Sequence, residues 1–122
     1  NTYGVLNVRE AFAKEHPEIV IRVLRQYERA RKWSIANPAE LRSTLAKAAR
    51  LSDTVAAKQL ERTDLADPLI GPKPYEAIFA AAVALQKSGV IDAKVDVKAA
   101  TTSLLNDQYV KETLKRDQAK AQ

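Results

Sequence analysis

The sequence predicts a predominantly α-helical chain with one short strand near its N-terminus. Ala, Leu, Lys, Arg, Glu and Gln dominate the composition, and only three glycines occur among 122 residues, which favours helix. Residues 19–33 carry apolar side chains at helical spacing, whereas residues 3–8 are almost continuously apolar and rich in β-forming side chains. The length is that of one domain, so we expect a single unit spanning residues 1–122.

The N-terminal segment combines a polar cluster with the predicted strand over residues 3–8. Gly4 inside this strand indicates close approach by a ligand or by another backbone. A lone strand cannot satisfy its own backbone hydrogen bonds, so either the segment is helical or its sheet partners lie outside this chain. The first four residues can present amide, hydroxyl and N–H groups to a small ligand: Asn1, Thr2, Tyr3 and Gly4.

The strongest periodic signal is a long helix that begins at Pro17. A short helix over residues 9–15 precedes it, and His16 separates the two, because proline fits the first position of a helix. At 100° per residue, seven side chains fall on one broad arc that we expect to face the core. They are Ile19, Val20, Val23, Leu24, Tyr27, Ala30 and Trp33. The opposite side carries the basic residues Arg22, Arg25, Arg29 and Lys32.

Five further helices are predicted from start and stop signals. Asn37 and Pro38 start the first, and Ser52 caps a short second one. Residues 63–74 form a connecting stretch with three prolines and one glycine, within which residues 67–70 can run extended. The others are expected at residues 75–88, closed by Gly89, at 96–106 and at 107–114, before a polar tail at 115–122. The helix at 75–88 is expected to bury Ile78, Phe79, Ala82, Val83 and Leu85.

The composition and the lack of catalytic motifs predict that the chain is not an enzyme. The sequence has no cysteine, which excludes a disulfide, a thiolate metal site and a cysteine nucleophile. Its single histidine, His16, precedes a helix start, where a capping or surface role is favoured over catalysis. Nucleotide-binding, nucleophile-elbow and zinc-protease motifs are missing, and the acidic pairs flank turns. We therefore expect no catalytic residue, no metal and no cofactor.

The net charge of +5 leaves two interpretations open. Twenty basic residues stand against 15 acidic ones with both signs alternating along the chain, which favours a solvated mixed surface. The basic side of the long helix could otherwise bind nucleic acid, but Glu18 lies on that side and no aromatic residue interleaves it. A free-standing basic helical interaction or nucleic-acid-binding domain remains the alternative hypothesis. The most apolar run, residues 77–85, is too short to span a membrane.

The order of these features resembles that of one family of bacterial transport proteins. The run "VREAFAKEHPEIVIRVLRQYERARKWSIANPAELRSTLAKAARLS" is similar to the progression of R-x-x-F/Y-x-x-x-H-P-E/D, long helix, N-P-x-E, helix and Leu-Ser in that family. Downstream, "KSGVID", "VDVKAA" and "DQYVKE" resemble its Gly-stopped helix and C-terminal segment. The family comprises the solute-binding proteins of ABC importers for nitrate, taurine and aliphatic sulfonates, with thiamine-precursor-binding relatives. The similarity covers essentially this whole chain and the C-terminal part of a family member.

The resemblance implies a two-lobed α/β fold of the type II periplasmic binding protein kind, of which this chain would be a mostly helical fragment. Two lobes joined by a hinge close on a small ligand, and the C-terminal part returns to complete the first lobe. Residues 3–8 would be the re-entrant strand, which would explain where its sheet partners lie. Such proteins are not enzymes: they capture a solute and deliver it to a permease.

The resemblance also implies a ligand, a partner and a location. The ligand would be a small anionic or zwitterionic solute such as an aliphatic sulfonate, taurine or nitrate, and the protein partner would be the membrane subunits of an ABC permease, with no nucleic acid. The location would be the periplasm, or a lipid-anchored position outside the cytoplasmic membrane. The exposed strand could also mediate self-association along its edge. The ligand-binding residues that carry over are Asn1, Thr2, Tyr3 and Gly4.

Overall fold

The computed structural model describes residues 6–119, which form seven α-helices. In chain order they are α1 (Glu10–Glu15), α2 (Pro17–Ala36), α3 (Pro38–Ala49), α4 (Asp53–Glu61), α5 (Pro72–Lys87), α6 (Val97–Leu104) and α7 (Gln108–Ala119). No β-strand occurs between residues 6 and 119. The prediction of a predominantly helical chain is therefore confirmed.

Prolines and polar caps begin most helices where the sequence places them. Pro17 and Pro38 occupy the first positions of α2 and α3, where the missing N–H costs nothing. At the start of α4 the Ser52 hydroxyl accepts a hydrogen bond from a backbone N–H at 3.3 Å, and at the start of α6 the Asp96 carboxylate accepts two. After α5, Gly89 has the left-handed φ of 79° that the sequence predicts.

The junction between α2 and α3 differs from the prediction. Asn37 was expected to cap α3, but its side chain makes no such hydrogen bond. Its side-chain amide instead donates to the Trp33 carbonyl at 2.8 Å, and its backbone N–H donates to the same carbonyl at 2.9 Å. Asn37 therefore closes the end of α2, because the last carbonyls of a helix also lack partners within it.

The predicted N-terminal strand is not confirmed. Residues 3–5 lie outside the described part of the chain, and residues 6–8 form neither a strand nor a helix. Leu6 and Val8 are exposed there, because no strand within residues 6–119 is available to pair with them. Residues 67–70, the second candidate for extended structure, also lie in an irregular loop.

The C-terminal helix is longer than predicted. α7 continues to Ala119, more than a turn beyond the end that the sequence indicates. Arg116 donates to Glu18 of α2 at 2.7 Å, and Arg25 of α2 donates to Asp117 at 3.0 Å. Arg116 and Asp117, which were expected in a polar tail, therefore attach the end of α7 to α2.

The helices pack in two groups. α2 packs against α1, α3 and α7, and α3 packs against α4. α5 packs against α6 and, within residues 6–119, against no other helix, so we call this pair the α5–α6 hairpin. The buried hydrophobic residues of the described chain all belong to the first group: Ala13, Val20, Ile21 and Ala56.

Much of the arc of α2 that the sequence assigns to the core faces solvent. Val20 is buried and Leu24 is half-buried, and the other members of the arc are exposed: Ile19, Val23, Tyr27, Ala30 and Trp33. The inward face of α2 is centred on Ile21 and Glu28 instead. The prediction was wrong because the inward face of α2 includes charged residues, Glu28 and the Arg25 that pairs with Asp117 of α7, which hydrophobic periodicity does not detect.

The apolar side of α5 is also incompletely covered. None of the five residues predicted for its core is buried: Leu85 is exposed, and Ile78, Phe79, Ala82 and Val83 are half-buried. Beyond the helix, Val90 is 71% exposed. The single partner helix, α6, has only eight residues and cannot cover a 16-residue helix.

The chain has a large surface for its size. Its accessible area is 9446 Å², whereas a folded monomer of 13.5 kDa is expected to expose about 6500 Å². The excess of about 2900 Å² is consistent with the short list of buried hydrophobic residues. Within residues 6–119, no helix is both long enough and apolar enough to cross a membrane.

Candidate functional site

The four residues predicted to contact a ligand lie outside the described part of the chain. The structure therefore gives no geometry for Asn1, Thr2, Tyr3 and Gly4. What it does describe is the surface on which a partner could pack.

His16 lies at the junction of α1 and α2. Its side chain makes no capping hydrogen bond and is half exposed, and its ring contacts Phe12 edge-on with 5.0 Å between centroids. This placement agrees with the surface role favoured by the sequence. Within residues 6–119, no cluster of three His, Cys, Asp or Glu side chains could hold a metal ion.

The basic side of α2 is partly neutralised within the fold. Arg25 pairs with Asp117 at 3.0 Å, and Lys32 lies 3.5 Å from Glu28. Arg22 and Arg29 make no ion pair with a carboxylate of residues 6–119, and Arg29 only donates to the Gln26 side-chain oxygen. Half of the predicted basic stripe therefore stabilises the fold, which weakens its interpretation as a nucleic-acid surface.

Glu28 and Arg31 form a partly buried ion pair that was not predicted from the sequence. Arg31 donates to both carboxylate oxygens of Glu28, at 2.7 and 2.9 Å, and the Glu28 side chain is only 6% exposed. Arg31 also donates a hydrogen bond to the Leu65 carbonyl at 2.6 Å, so it connects the loop between α4 and α5 to α2. The hydrogen bond from Arg31 lowers the pKa of Glu28, although burial opposes this shift. The i, i+3 spacing of Glu28 and Arg31 was the sequence signal from which this ion pair could have been predicted.

A second set of polar contacts joins α7 to α1 and α2. Arg116 makes two hydrogen bonds to Glu18, at 2.7 and 3.0 Å, and a third to Glu112 at 2.7 Å. The hydrogen bond from Arg116 lowers the pKa of Glu18 and raises that of Arg116. The Tyr109 hydroxyl donates to the Ala13 carbonyl at 3.1 Å, so α7 is tied to α1 as well.

The exposed face of α2 carries a regular stripe of four apolar residues and one glutamine. Its members are four and three residues apart in alternation, and all of them are exposed. We call this stripe the α2 seam; it consists of Ile19, Val23, Gln26, Ala30 and Trp33. A shallow groove of about 330 Å³ lies along its first half, bordered by Arg22. Trp33, the sole tryptophan of the chain, is 45% exposed at the other end.

A second, smaller depression of about 250 Å³ lies at the open end of the α5–α6 hairpin. Tyr75 and Thr102 face each other there, with 3.4 Å between their hydroxyl oxygens. It adjoins the start of α5, but Pro72 and Pro74 remove two of the backbone N–H groups that would bind an anion. The depression is therefore less suited to an anionic ligand than an ordinary helix start.

Comparisons with protein families, curated proteins and solved structures give no match to this chain. The side-chain contacts described above are packing contacts, hydrogen bonds and ion pairs. The α2 seam and the incompletely covered side of α5 are the features that an additional polypeptide would bury.

Proposed function

We propose that this chain is the C-terminal part of the substrate-binding component of an ABC importer. In this role the whole protein captures a small anionic or zwitterionic solute, of the aliphatic sulfonate, taurine or nitrate type, and delivers it to the permease. The proposal has its origin in the order of sequence motifs from Arg9 to Ser52 and in the Gly89 stop.

The observation that best supports this proposal is the small core of the described residues. Only four hydrophobic residues between 6 and 119 are buried, whereas many large ones, among them Ile19, Val23 and Trp33, are exposed. Both long helices, α2 and α5, leave apolar side chains uncovered. A piece that completes one lobe of a two-lobed α/β protein would have such faces, because the rest of the lobe covers them.

The ligand would bind between the two lobes, where the polar N-terminal residues of this chain would contribute. Asn1, Thr2, Tyr3 and Gly4 would supply hydroxyl, amide and N–H groups, which suit an anionic head group. Residues 3–8 would become a strand in the presence of sheet partners from the remainder of the lobe. The location would be periplasmic or lipid-anchored outside the cytoplasmic membrane.

The alternative is a free-standing basic helical domain that binds another macromolecule. The α2 seam, with Arg22 and Arg29 along one border, favours protein binding in this case. Nucleic-acid binding is less favoured, since Arg25 and Lys32 are engaged within the fold. A mobility-shift titration with duplex DNA and with RNA at low salt separates these alternatives.

The importer role is tested by the melting temperature of the protein expressed from its own gene. We expect one of taurine, nitrate, an alkanesulfonate or a thiamine precursor to raise it, by an amount that grows with ligand concentration. A solute at 100 times its dissociation constant contributes about 2.7 kcal/mol to folding. If none of these solutes changes the melting temperature at millimolar concentration, the importer role is wrong.

A further inference from the structure

The α2 seam has the spacing of a helix that packs against a second helix. Its residues recur at intervals of four, three, four and three, which is the heptad spacing of helices that pack along each other. This spacing places all five residues on one face of α2. The seam is exposed over its whole length, and α7 packs on a different face of α2. The seam is therefore a two-heptad packing surface that no helix within residues 6–119 occupies.

The charges beside the seam specify the partner. Arg22 and Arg29 lie one heptad apart on the same border, about 10 Å apart along the helix axis. Neither makes an ion pair with a carboxylate of residues 6–119, whereas Arg25 and Arg31 each make one. The border is thus complementary to two carboxylates at the same spacing on a partner.

A second copy of this chain does not meet that requirement. In an antiparallel pair the border of one α2 would face the same border of the other, placing Arg22 opposite Arg29 of the second copy. In a parallel pair it would face Tyr27 and Ser34, which carry no charge. Both arrangements leave the arginines without a carboxylate, and the antiparallel one also places like charges together.

We propose that the α2 seam binds an amphipathic helix whose apolar stripe is bordered by two carboxylates one heptad apart, opposite Arg22 and Arg29. For the source of that helix the inference rests on the proposed function: it belongs to the remainder of the same solute-binding protein. In the middle of the seam, the Gln26 side-chain oxygen accepts a hydrogen bond from Arg29 at 3.1 Å, whereas its amide N–H groups make no hydrogen bond to a described residue and favour a polar group at that level of the partner.

Two synthetic helical peptides without tryptophan test the charge requirement on the 122-residue chain. Each has about three heptads with leucine along its stripe, bordered by glutamate in one peptide and by lysine in the other. The signal is the emission of Trp33, which shifts to shorter wavelength when the seam is covered. We expect the glutamate peptide to bind about tenfold or more tightly than the lysine peptide at low salt, and the preference to shrink as salt rises.

A charge reversal makes the test specific to this border. The double variant Arg22→Glu with Arg29→Glu should prefer the lysine peptide, while the control Arg9→Glu with Arg62→Glu should keep the original preference. All four arginines are exposed and have no described ion pair, so helicity measured by circular dichroism should be unchanged. Equal binding of the two peptides, no binding of either, an unreversed preference, or a concentration-dependent shift of Trp33 without peptide would each overturn the proposal.

The two proposals fail in different measurements. If the peptide preference is found but no solute stabilises the protein, the importer role is wrong and the helix-binding seam stands. If solutes stabilise the protein but the peptides show no charge preference, the inference about the seam is wrong and the importer role stands.

Discussion

α2 and α5 are both long helices with broad apolar sides, yet their surroundings differ. α2 is held on its inward face by α1, α3 and α7, with Val20 and Ile21 buried and polar contacts at both ends of α7. α5 packs on one short helix and buries no residue completely. Glu76, the acidic residue of α5, makes no ion pair with a described residue, whereas Glu18 of α2 pairs with Arg116 and Glu28 pairs with Arg31 and Lys32.

This difference shows that the inward face of α2 combines buried apolar residues with polar contacts. Its inward face contains the partly buried Glu28–Arg31 pair, while apolar Ile19, Val23 and Trp33 point outward. Placing apolar side chains in water costs about 25 cal/mol for each Å² that stays uncovered. The arrangement is favourable once a partner covers the outer face, and the α5–α6 hairpin needs such a partner even more.

The largest expected effects come from three matched isoleucine-to-alanine substitutions. Ile21→Ala, in the inward face of α2, should lower the free energy of unfolding by about 3 kcal/mol through loss of buried surface and a cavity. Ile78→Ala, half-buried in α5, should cost about 1 kcal/mol. Ile19→Ala, on the exposed seam, should stay within about 0.5 kcal/mol. Urea unfolding measures all three, and equal costs for Ile21 and Ile78 would abolish the contrast between the helices.

The next largest effect on stability is expected from the Glu28–Arg31 ion pair of α2. Arg31→Met should lower the free energy of unfolding by about 2 kcal/mol, because the Glu28 carboxylate remains buried with only Lys32 near it. The double variant Glu28→Met with Arg31→Met should recover part of that loss, since no charge is left unpaired. Arg62→Met is the control, with a change within about 0.5 kcal/mol. A double variant that is less stable than Arg31→Met alone would contradict this role of the pair.

Acid should weaken the ion pairs of Glu18 and Glu28, with a smaller effect on stability. The pKa values of Glu18 and Glu28 lie below the ordinary value of 4.5, so the folded chain binds fewer protons at acid pH than the unfolded chain does. Their contribution to stability is complete above about pH 4.5 and is lost as the pH falls through the lowered values. The urea midpoint should fall in this window, and less so in Glu28→Gln. An identical pH dependence of the wild type and this variant would rule out the contribution of Glu28.

The smallest expected effect is on the seam itself in the absence of a partner. Val23→Ser should change the free energy of unfolding by no more than about 0.5 kcal/mol, because Val23 is exposed and faces away from α7. The same substitution should abolish the Trp33 shift on adding the glutamate peptide. A large loss of stability would mean that the seam is part of the core of the isolated chain.

Local signals predicted the helices better than the way they pack. Pro17, Pro38, Ser52, Asp96 and Gly89 act through their own backbone or near neighbours, so their roles could be inferred from the sequence. The contacts between α2 and α7 include pairs about 90 positions apart, such as Arg25 with Asp117. No periodicity encodes such pairs, and the predicted N-terminal strand likewise depends on partners that local sequence does not contain.

Amide hydrogen exchange of the 122-residue chain, resolved by helix, tests the central claim most directly. The claim is that the group formed by α1, α2, α3, α4 and α7 is stable without a further partner and the α5–α6 hairpin is not. We expect amides in the middle of α2 and α7 to exchange about tenfold or more slowly than those in the middle of α5 and α6. Equal protection in the two groups, or slower exchange in the α5–α6 hairpin, would contradict it.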